Sequence, residues 1–156
     1  MQNSLTSVGK TLRMRHIFRE DGKALMVAIN HGLGMGPIRG ISDMGALLET
    51  LSHEPVDSLT LHKGIAKLHA DKFAGHSALI LKGTNITRFY DPEEMPVATV
   101  DEAVALGADA IALGLSLCSG LEYDVVTGIA ATIADAEACG MPVVTHSYPN
   151  GDKISN

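Results

Sequence analysis

Apolar residues fill positions 24 to 29, and Asn30, His31 and a glycine-rich loop follow immediately. A continuous apolar run of this length, bounded by glycines, predicts a strand that is buried on both faces of a parallel sheet. The same arrangement, an apolar run followed by polar residues or a glycine, recurs along the chain. The pattern predicts five strands, at residues 24–29, 57–61, 77–81, 109–115 and 141–145.

Helical patterns separate these strands. Ser42 is predicted to cap a helix over residues 42–52, and a short helix is predicted over 65–71. Thr99 and Glu102 have the spacing of a capping box, which opens a helix that ends at Gly107. A long helix is predicted over 122–139, and an amphipathic helix near the N-terminus is expected to cover the bottom of the first strand. The polar stretch 84–95 is expected to run over the surface.

The order βαβαβαβαβ with parallel crossovers predicts an α/β protein. We interpret it as a partial barrel of the TIM (β/α)8-barrel family, with about five parallel strands. A complete barrel takes roughly 250 residues, so residues 1–156 are expected to form a single domain that is the N-terminal portion of a truncated barrel. A five-stranded doubly wound sheet is the rival architecture. Five strands cannot close a barrel, so the first and the last strand are each expected to present an unpaired edge.

The alternation in the second strand predicts which side chains face the barrel interior. Leu59 and Leu61 share the face that should receive helices, so His62 is expected to point inward and Lys63 to lie at the rim. In the fourth strand the predicted inner face carries small residues, which leave room inside a barrel. These are Ala110, Ala112 and Gly114.

Composition narrows the class of function. The formal net charge of −6 gives no general attraction for nucleic acid or for an anionic membrane. The chain shows no signal peptide and no apolar run long enough to span a bilayer, and its two cysteines form no metal motif, so a cytoplasmic protein is expected. Residues 9–11 do not complete a phosphate-binding P-loop, and the glycines at 32, 34 and 36 do not have dinucleotide-fold spacing. Both nucleotide interpretations are therefore discarded.

Candidate chemistry lies at the predicted strand ends, where parallel α/β proteins place their active sites. His31, His62 and His146 could together hold a catalytic zinc, or they could bind substrate at the barrel mouth. Tyr148 stands two positions after His146, so both share one face of an extended strand. A tyrosine held by the following Pro-Asn-Gly turn is a candidate proton donor.

Several motifs occur in order along the chain: Gly9-Lys10, Arg13 and Ile17-Phe18, then Asn30-His-Gly, Leu61-His-Lys-Gly64, Thr99-Val-Asp-Glu-Ala103, Leu106-Gly-Ala-Asp-Ala110 and Ser147-Tyr-Pro-Asn-Gly151. In this order they resemble the motifs of the archaeal-type class I fructose-bisphosphate aldolases and of the related aminodideoxyheptulosonate synthases of aromatic amino acid biosynthesis. The resemblance covers nearly the whole chain. It implies the N-terminal portion of an aldolase-type barrel that binds a phosphorylated ketose, with a lysine that forms a Schiff base and with no cofactor or metal.

The resemblance also implies residue roles. Tyr148 is expected to transfer the proton, with Asn30 and His31 as further catalytic residues, and His62, Lys63 and His146 are expected to bind substrate. Asn30 stands where the family has aspartate, and it cannot accept a proton. The family's Schiff-base lysine belongs to a sixth strand, and neither Lys63 nor Lys82 matches its position.

We therefore expect a Schiff-base aldolase or the related synthase, inactive as this truncated chain, that forms homo-oligomers and binds a phosphorylated sugar but no nucleic acid or membrane. Two alternatives stay open. One is a zinc-dependent lyase or hydrolase that uses His31, His62 and His146. The other is a non-catalytic half-barrel that serves as an assembly or binding module.

Overall fold

The computed structural model describes residues 5–87, 94–149 and 154, with side chains from Val8 onward. Its strands are, in chain order, β1 (Met26–Ala28), β2 (Ser58–Leu61), β3 (Ala78–Lys82), β4 (Thr84–Asn85), β5 (Met95–Pro96), β6 (Ala110–Leu117) and β7 (Val143–Pro149). Its helices are α1 (Leu5–Ile17), α2 (His31–Met35), α3 (Met44–Leu51), α4 (Lys63–Leu68), α5 (Ala70–Phe73), α6 (Val100–Ala105) and α7 (Glu122–Ala138).

Five of the strands form one parallel sheet in the order β1-β2-β3-β6-β7, which confirms the predicted strand number and direction. The spatial order follows the chain order without reversal, as in a barrel, whereas a doubly wound sheet reverses direction at a switch point. Within the described residues β1 pairs only with β2, and β7 pairs only with β6. The sheet is therefore an open part of a barrel.

The two faces of this sheet have different partners. Leu59, Leu61, Leu81 and Ile111 face outward and join the main core beneath the helices. The opposite face carries a smaller cluster in which Ile80 packs with small alanines and with Ile17 at the end of α1. The predicted small residues Ala110 and Ala112 belong to this inner cluster, where they are fully buried. The alternation in the sequence thus assigned the inner and outer faces correctly.

Three predictions about helix bounds and strand burial differ from the structure. The cap of α3 is Asp43, whose carboxylate accepts from the backbone N–H of Ala46, so the prediction of Ser42 was one residue early. The helix predicted over 65–71 is two short helices, α4 and α5. The first strand is not buried on both faces, because it lies at the sheet edge, and Met26 is 40% exposed. The capping box at Thr99 and Glu102 is confirmed.

The polar stretch after β3 was predicted to run over the surface, but it begins with the buried residues Thr84 and Asn85. It then folds back as an antiparallel ribbon, in which β4 pairs with β5. The tip of the stretch, residues 88–93, lies outside the described residues. Among the helices that the structure describes, none combines the length and apolarity needed to cross a bilayer.

Candidate active site

A cavity of about 420 Å³ opens at the carboxyl ends of β1, β3 and β7. Its polar lining consists of Asn30, His31, Lys82, Glu94, His146 and Tyr148, together with Asn85 and Ser147. Four of the six residues for which the sequence predicted a role therefore lie around one space. Because parallel strands in register end at the same edge of a sheet, this convergence follows from the topology.

Strand register explains how these side chains meet. Lys82 lies opposite Ala112 and His146 lies opposite Gly114, so both project from the inner face of the sheet. Tyr148 follows two residues later on the same face of β7 and is 52% exposed. Asn30 closes the first strand and stands at the N-terminus of α2, the short helix that the glycine-rich loop forms. His31 begins this helix and is exposed.

His62, for which a substrate-binding role was predicted, is not part of the cavity lining. Its Nε2 is 3.1 Å from the backbone oxygen of Asn30, so it links the ends of β2 and β1. Burial lowers the pKa of His62, and the positive charge of Lys82 lowers it further. The pKa of His146 is lowered by the same two causes in the same order. Both imidazoles are therefore held in the neutral form, in which a ring nitrogen can accept a hydrogen bond.

Lys82 is a buried amine, 3% exposed, at the end of β3. Its Nζ donates a long hydrogen bond, 3.5 Å, to Thr84 Oγ1, which itself accepts from the backbone N–H of Gly114 at 2.6 Å. Burial lowers the pKa of Lys82, and the charge of Glu94 opposes that shift. In the described residues no carboxylate forms an ion pair with Lys82, so its charge is incompletely compensated.

Glu94 lies immediately before β5, the second strand of the β4–β5 ribbon, and lines the cavity. Its Oε2 is buried and has no hydrogen-bond partner among the described residues. A Cβ atom added to Gly114 would overlap the Glu94 carboxylate, so the missing side chain of Gly114 makes the space that this carboxylate fills. Nothing in the local sequence around Glu94 indicates this position, because it depends on how the ribbon folds back across β6. Lys82, in contrast, had a visible signal as a charged residue that ends an apolar strand.

Lys63 lies outside the cavity at the strand ends. Its Nζ is 2.7 Å from the carboxylate of Glu102 on α6, and it is not part of the cavity lining. His62 caps α4 and Lys63 is the first helical residue, so the chain turns away from the inner face at this point. The role predicted for Lys63 in substrate binding thus has no geometric support.

The proposed zinc ligands do not gather around one point. The described residues contain no group of three His, Cys, Asp or Glu side chains placed to hold a metal ion. His62 is bonded to the backbone of Asn30, and His31 projects from an exposed helix end. The donor geometry therefore does not fit the zinc alternative.

A second cavity, of about 790 Å³, lies at the opposite end of the sheet. It is lined by Phe73, Ala78, Leu79 and backbone turns, and two of its polar side chains pair with each other, since His16 Nδ1 lies 2.8 Å from Asp109 Oδ1. In a parallel α/β protein the amino ends of the strands carry stability rather than chemistry. The smaller cavity, with its unpartnered polar groups, is therefore the candidate site.

Comparison with known proteins agrees with this geometry. The model of the DeoC/LacD family of aldolases matches residues 24–156. The chain is 32% identical over 153 residues to a class 1 fructose-bisphosphate aldolase from Thermoproteus tenax, covering 94% of this chain and 57% of that protein. It is 29% identical over 151 residues to a 2-amino-3,7-dideoxy-D-threo-hept-6-ulosonate synthase from Halobacterium salinarum, covering 96% and 57% respectively.

Solved structures of an archaeal fructose-1,6-bisphosphate aldolase superpose on this chain with a TM-score of 0.82 at 30% identity. The match covers 94% of this chain and 60% of the aldolase, and in one of those structures the catalytic lysine is covalently bound to the carbinolamine intermediate of the substrate. The chain thus spans somewhat more than half the length of the relatives that it matches. By sequence and by fold, the chain belongs to the DeoC/LacD family of aldolases.

Proposed function

We propose that the cavity at the carboxyl ends of β1, β3 and β7 is part of a Schiff-base aldolase site that takes a phosphorylated keto-sugar. The substrate would be fructose 1,6-bisphosphate or a sugar phosphate of the related synthase reaction. The observation that supports this most is the placement of Tyr148 and His146 two residues apart on the inner face of β7, in a cavity that Asn30 also lines. The similarity to Schiff-base aldolases and to a synthase supports the same chemistry.

Each residue would have a distinct task. Tyr148 is half-exposed, and its hydroxyl would donate and recover the proton as the C–C bond breaks and forms. Neutral His146 would hold a substrate oxygen, and His62 would fix the end of β1 through the backbone of Asn30. Asn30 can donate or accept a hydrogen bond but cannot take a proton, so a site with Asn30 would turn over more slowly than one with aspartate.

The electron sink of this reaction is a protonated imine, which requires a lysine at the position that the family places on a sixth strand. We therefore propose that the present 156 residues bind the substrate but do not cleave it. The half-barrel would then be competent in recognition, and chemistry would require the remaining strands.

The exposed first strand supports a proposal about assembly. An edge strand with unpaired backbone groups tends to pair with another chain or with a further strand, and Met26 on β1 is 40% exposed. We propose a homo-oligomer that works in the cytoplasm. Sedimentation at several protein concentrations would test the first part, since a monomer at every concentration would contradict it.

Joining residues 1–149 to the C-terminal remainder of the Thermoproteus tenax relative tests the function. With dihydroxyacetone phosphate and borohydride, the joined protein should gain one reduced imine per chain, whereas the 156-residue chain should gain none. Tyr148→Phe should lower aldol cleavage by about 100-fold or more, because general acid–base catalysis contributes about 10²–10⁴-fold, and should leave imine trapping intact. Tyr123→Phe, at an 80% exposed position outside the cavity, is the matched control.

Two results would contradict this proposal. If the joined protein folds and forms no imine, the site is not that of a Schiff-base aldolase. If Tyr148→Phe and Tyr123→Phe have equal activity, Tyr148 is not the proton-transfer residue.

A further inference from the structure

Two opposite charges face the same cavity and do not touch. Lys82 feels the charge of Glu94, which raises its pKa against the effect of burial. Within the described residues no hydrogen bond or ion pair joins the two, and Glu94 Oε2 is buried without a partner. A cation and a carboxylate in this state leave a donor and an acceptor unused at the site.

Burying a hydrogen-bond donor and acceptor without partners is energetically unfavourable. A buried polar group without a hydrogen bond is costly, so such groups in a native structure indicate a bound molecule or a functional role. Water is one occupant that could bridge them. A ligand hydroxyl is the other, because one hydroxyl group accepts a hydrogen bond through its oxygen and donates one through its hydrogen.

We propose that Lys82 and Glu94 form a clamp for a hydroxyl group of the sugar phosphate. Lys82 Nζ donates a hydrogen bond to the hydroxyl oxygen, and Glu94 Oε2 accepts a hydrogen bond from the hydroxyl O–H. This inference rests on the proposed function and adds a specificity-determining pair to it. No covalent step is involved, and Lys82 stays a hydrogen-bond donor rather than a nucleophile. The substrate class that the clamp selects is a hydroxyketone phosphate over its deoxy analogue.

Gly114 contributes to the geometry of the same clamp. It leaves open the space in which the Glu94 carboxylate sits, and its N–H anchors Thr84, the residue that Lys82 contacts. The ribbon of β4 and β5 brings Glu94 to this point, since Met95 pairs with Asn85 just beyond Thr84. The clamp is therefore built from β3, β6 and the ribbon together.

The test compares two ligands by calorimetric titration of the full 156-residue chain. Dihydroxyacetone phosphate carries the hydroxyl. Hydroxyacetone phosphate, its deoxy analogue, lacks that hydroxyl. A hydrogen bond to a charged group contributes about tenfold or more in affinity, so the unmodified chain should bind the first ligand about tenfold more tightly. Glu94→Met should reduce this preference to about twofold or less, mainly by weakening the binding of dihydroxyacetone phosphate.

Lys82→Met should also reduce the preference. Lys72→Met and Glu49→Gln should leave the preference unchanged. Each removes one partner of an exposed ion pair whose N–O distance is 2.6 Å. Glu94→Gln, which is close in shape, keeps the experiment informative if Glu94→Met unfolds, and it should give an intermediate preference. Circular dichroism establishes that each variant is folded.

The outcomes separate the two proposals. If the unmodified chain binds both ligands equally, or if the preference survives Glu94→Met in a folded protein, the clamp is refuted while substrate binding stands. If the unmodified chain binds neither ligand, substrate recognition by this half-barrel fails and the clamp fails with it.

Discussion

Replacing Lys82 with methionine should make the protein more stable. Lys82 is 3% exposed, and its described hydrogen bond, to Thr84 Oγ1, is 3.5 Å long. Burying a polar group that lacks full compensation costs about 1–3 kcal/mol in protein variants. Methionine keeps the length of the side chain and fills the same space without a charge. We therefore expect the free energy of unfolding to rise by about 1–3 kcal/mol.

The stability gained by Lys82→Met should depend on pH. Burial lowers the pKa of Lys82 in the folded state, so the unfolded chain binds more protons between the folded pKa and the ordinary value near 10.4. Stability of the unmodified protein therefore rises with pH through that window. The advantage of Lys82→Met should be largest near neutral pH and should shrink as the pH approaches about 10.

Urea unfolding at pH 7 and pH 9.5 measures both effects. With a slope of about 2 kcal/mol per molar urea, the midpoint of Lys82→Met should lie about 0.5–1.5 M higher at pH 7. Lys72→Met is the control, because that lysine forms an exposed ion pair with Glu49 and its loss should leave the urea midpoint nearly unchanged. A Lys82→Met protein that is less stable than the unmodified chain at pH 7 would refute the claim that Lys82 is an incompletely compensated buried charge.

Three further predictions follow from named contacts. Thr99→Ala removes the reciprocal capping box of α6 and should lower the free energy of unfolding by about 1 kcal/mol in urea titrations. Gly114→Ala should displace the Glu94 carboxylate and destabilise the protein by about 1–3 kcal/mol, and a double-mutant cycle with Glu94→Ala should recover part of that loss. Because burial lowers the pKa of His62 and His146, their imidazole NMR signals should titrate below pH 6.5, and stability should fall as the pH drops below that value.

The faces of the sheet could be predicted because strand side chains alternate with a period of two. The apolar residues Leu59 and Leu61 indicated the outer face of β2, and the same alternation put the alanines of β6 inside. The exposure of Met26 could not be read in this way, because it depends on where β1 lies in the sheet. A fully apolar run indicates a strand but carries no information about whether a neighbour covers it.

The site was predicted unevenly for a similar reason. Asn30, His146 and Tyr148 follow or end predicted strands, and the topology alone brings them together. Lys63 follows an inward-facing histidine, but the backbone changes there from strand to helix, and its ammonium reaches Glu102 on α6 instead. Glu94 could not be found from sequence, since a packing contact between the β4–β5 ribbon and Gly114 determines its position.

Histidine NMR during titration with dihydroxyacetone phosphate tests most directly whether the cavity at the strand carboxyl ends is the substrate site. His146 lines that cavity and His62 contacts the backbone of Asn30, which also lines it, whereas His16 and His76 line the larger cavity at the amino ends. We predict that the imidazole signals of His146 and His62 shift in a saturable manner while those of His16 and His76 stay in place. Shifts confined to His16 and His76, or no saturable shift at any histidine, would contradict this account.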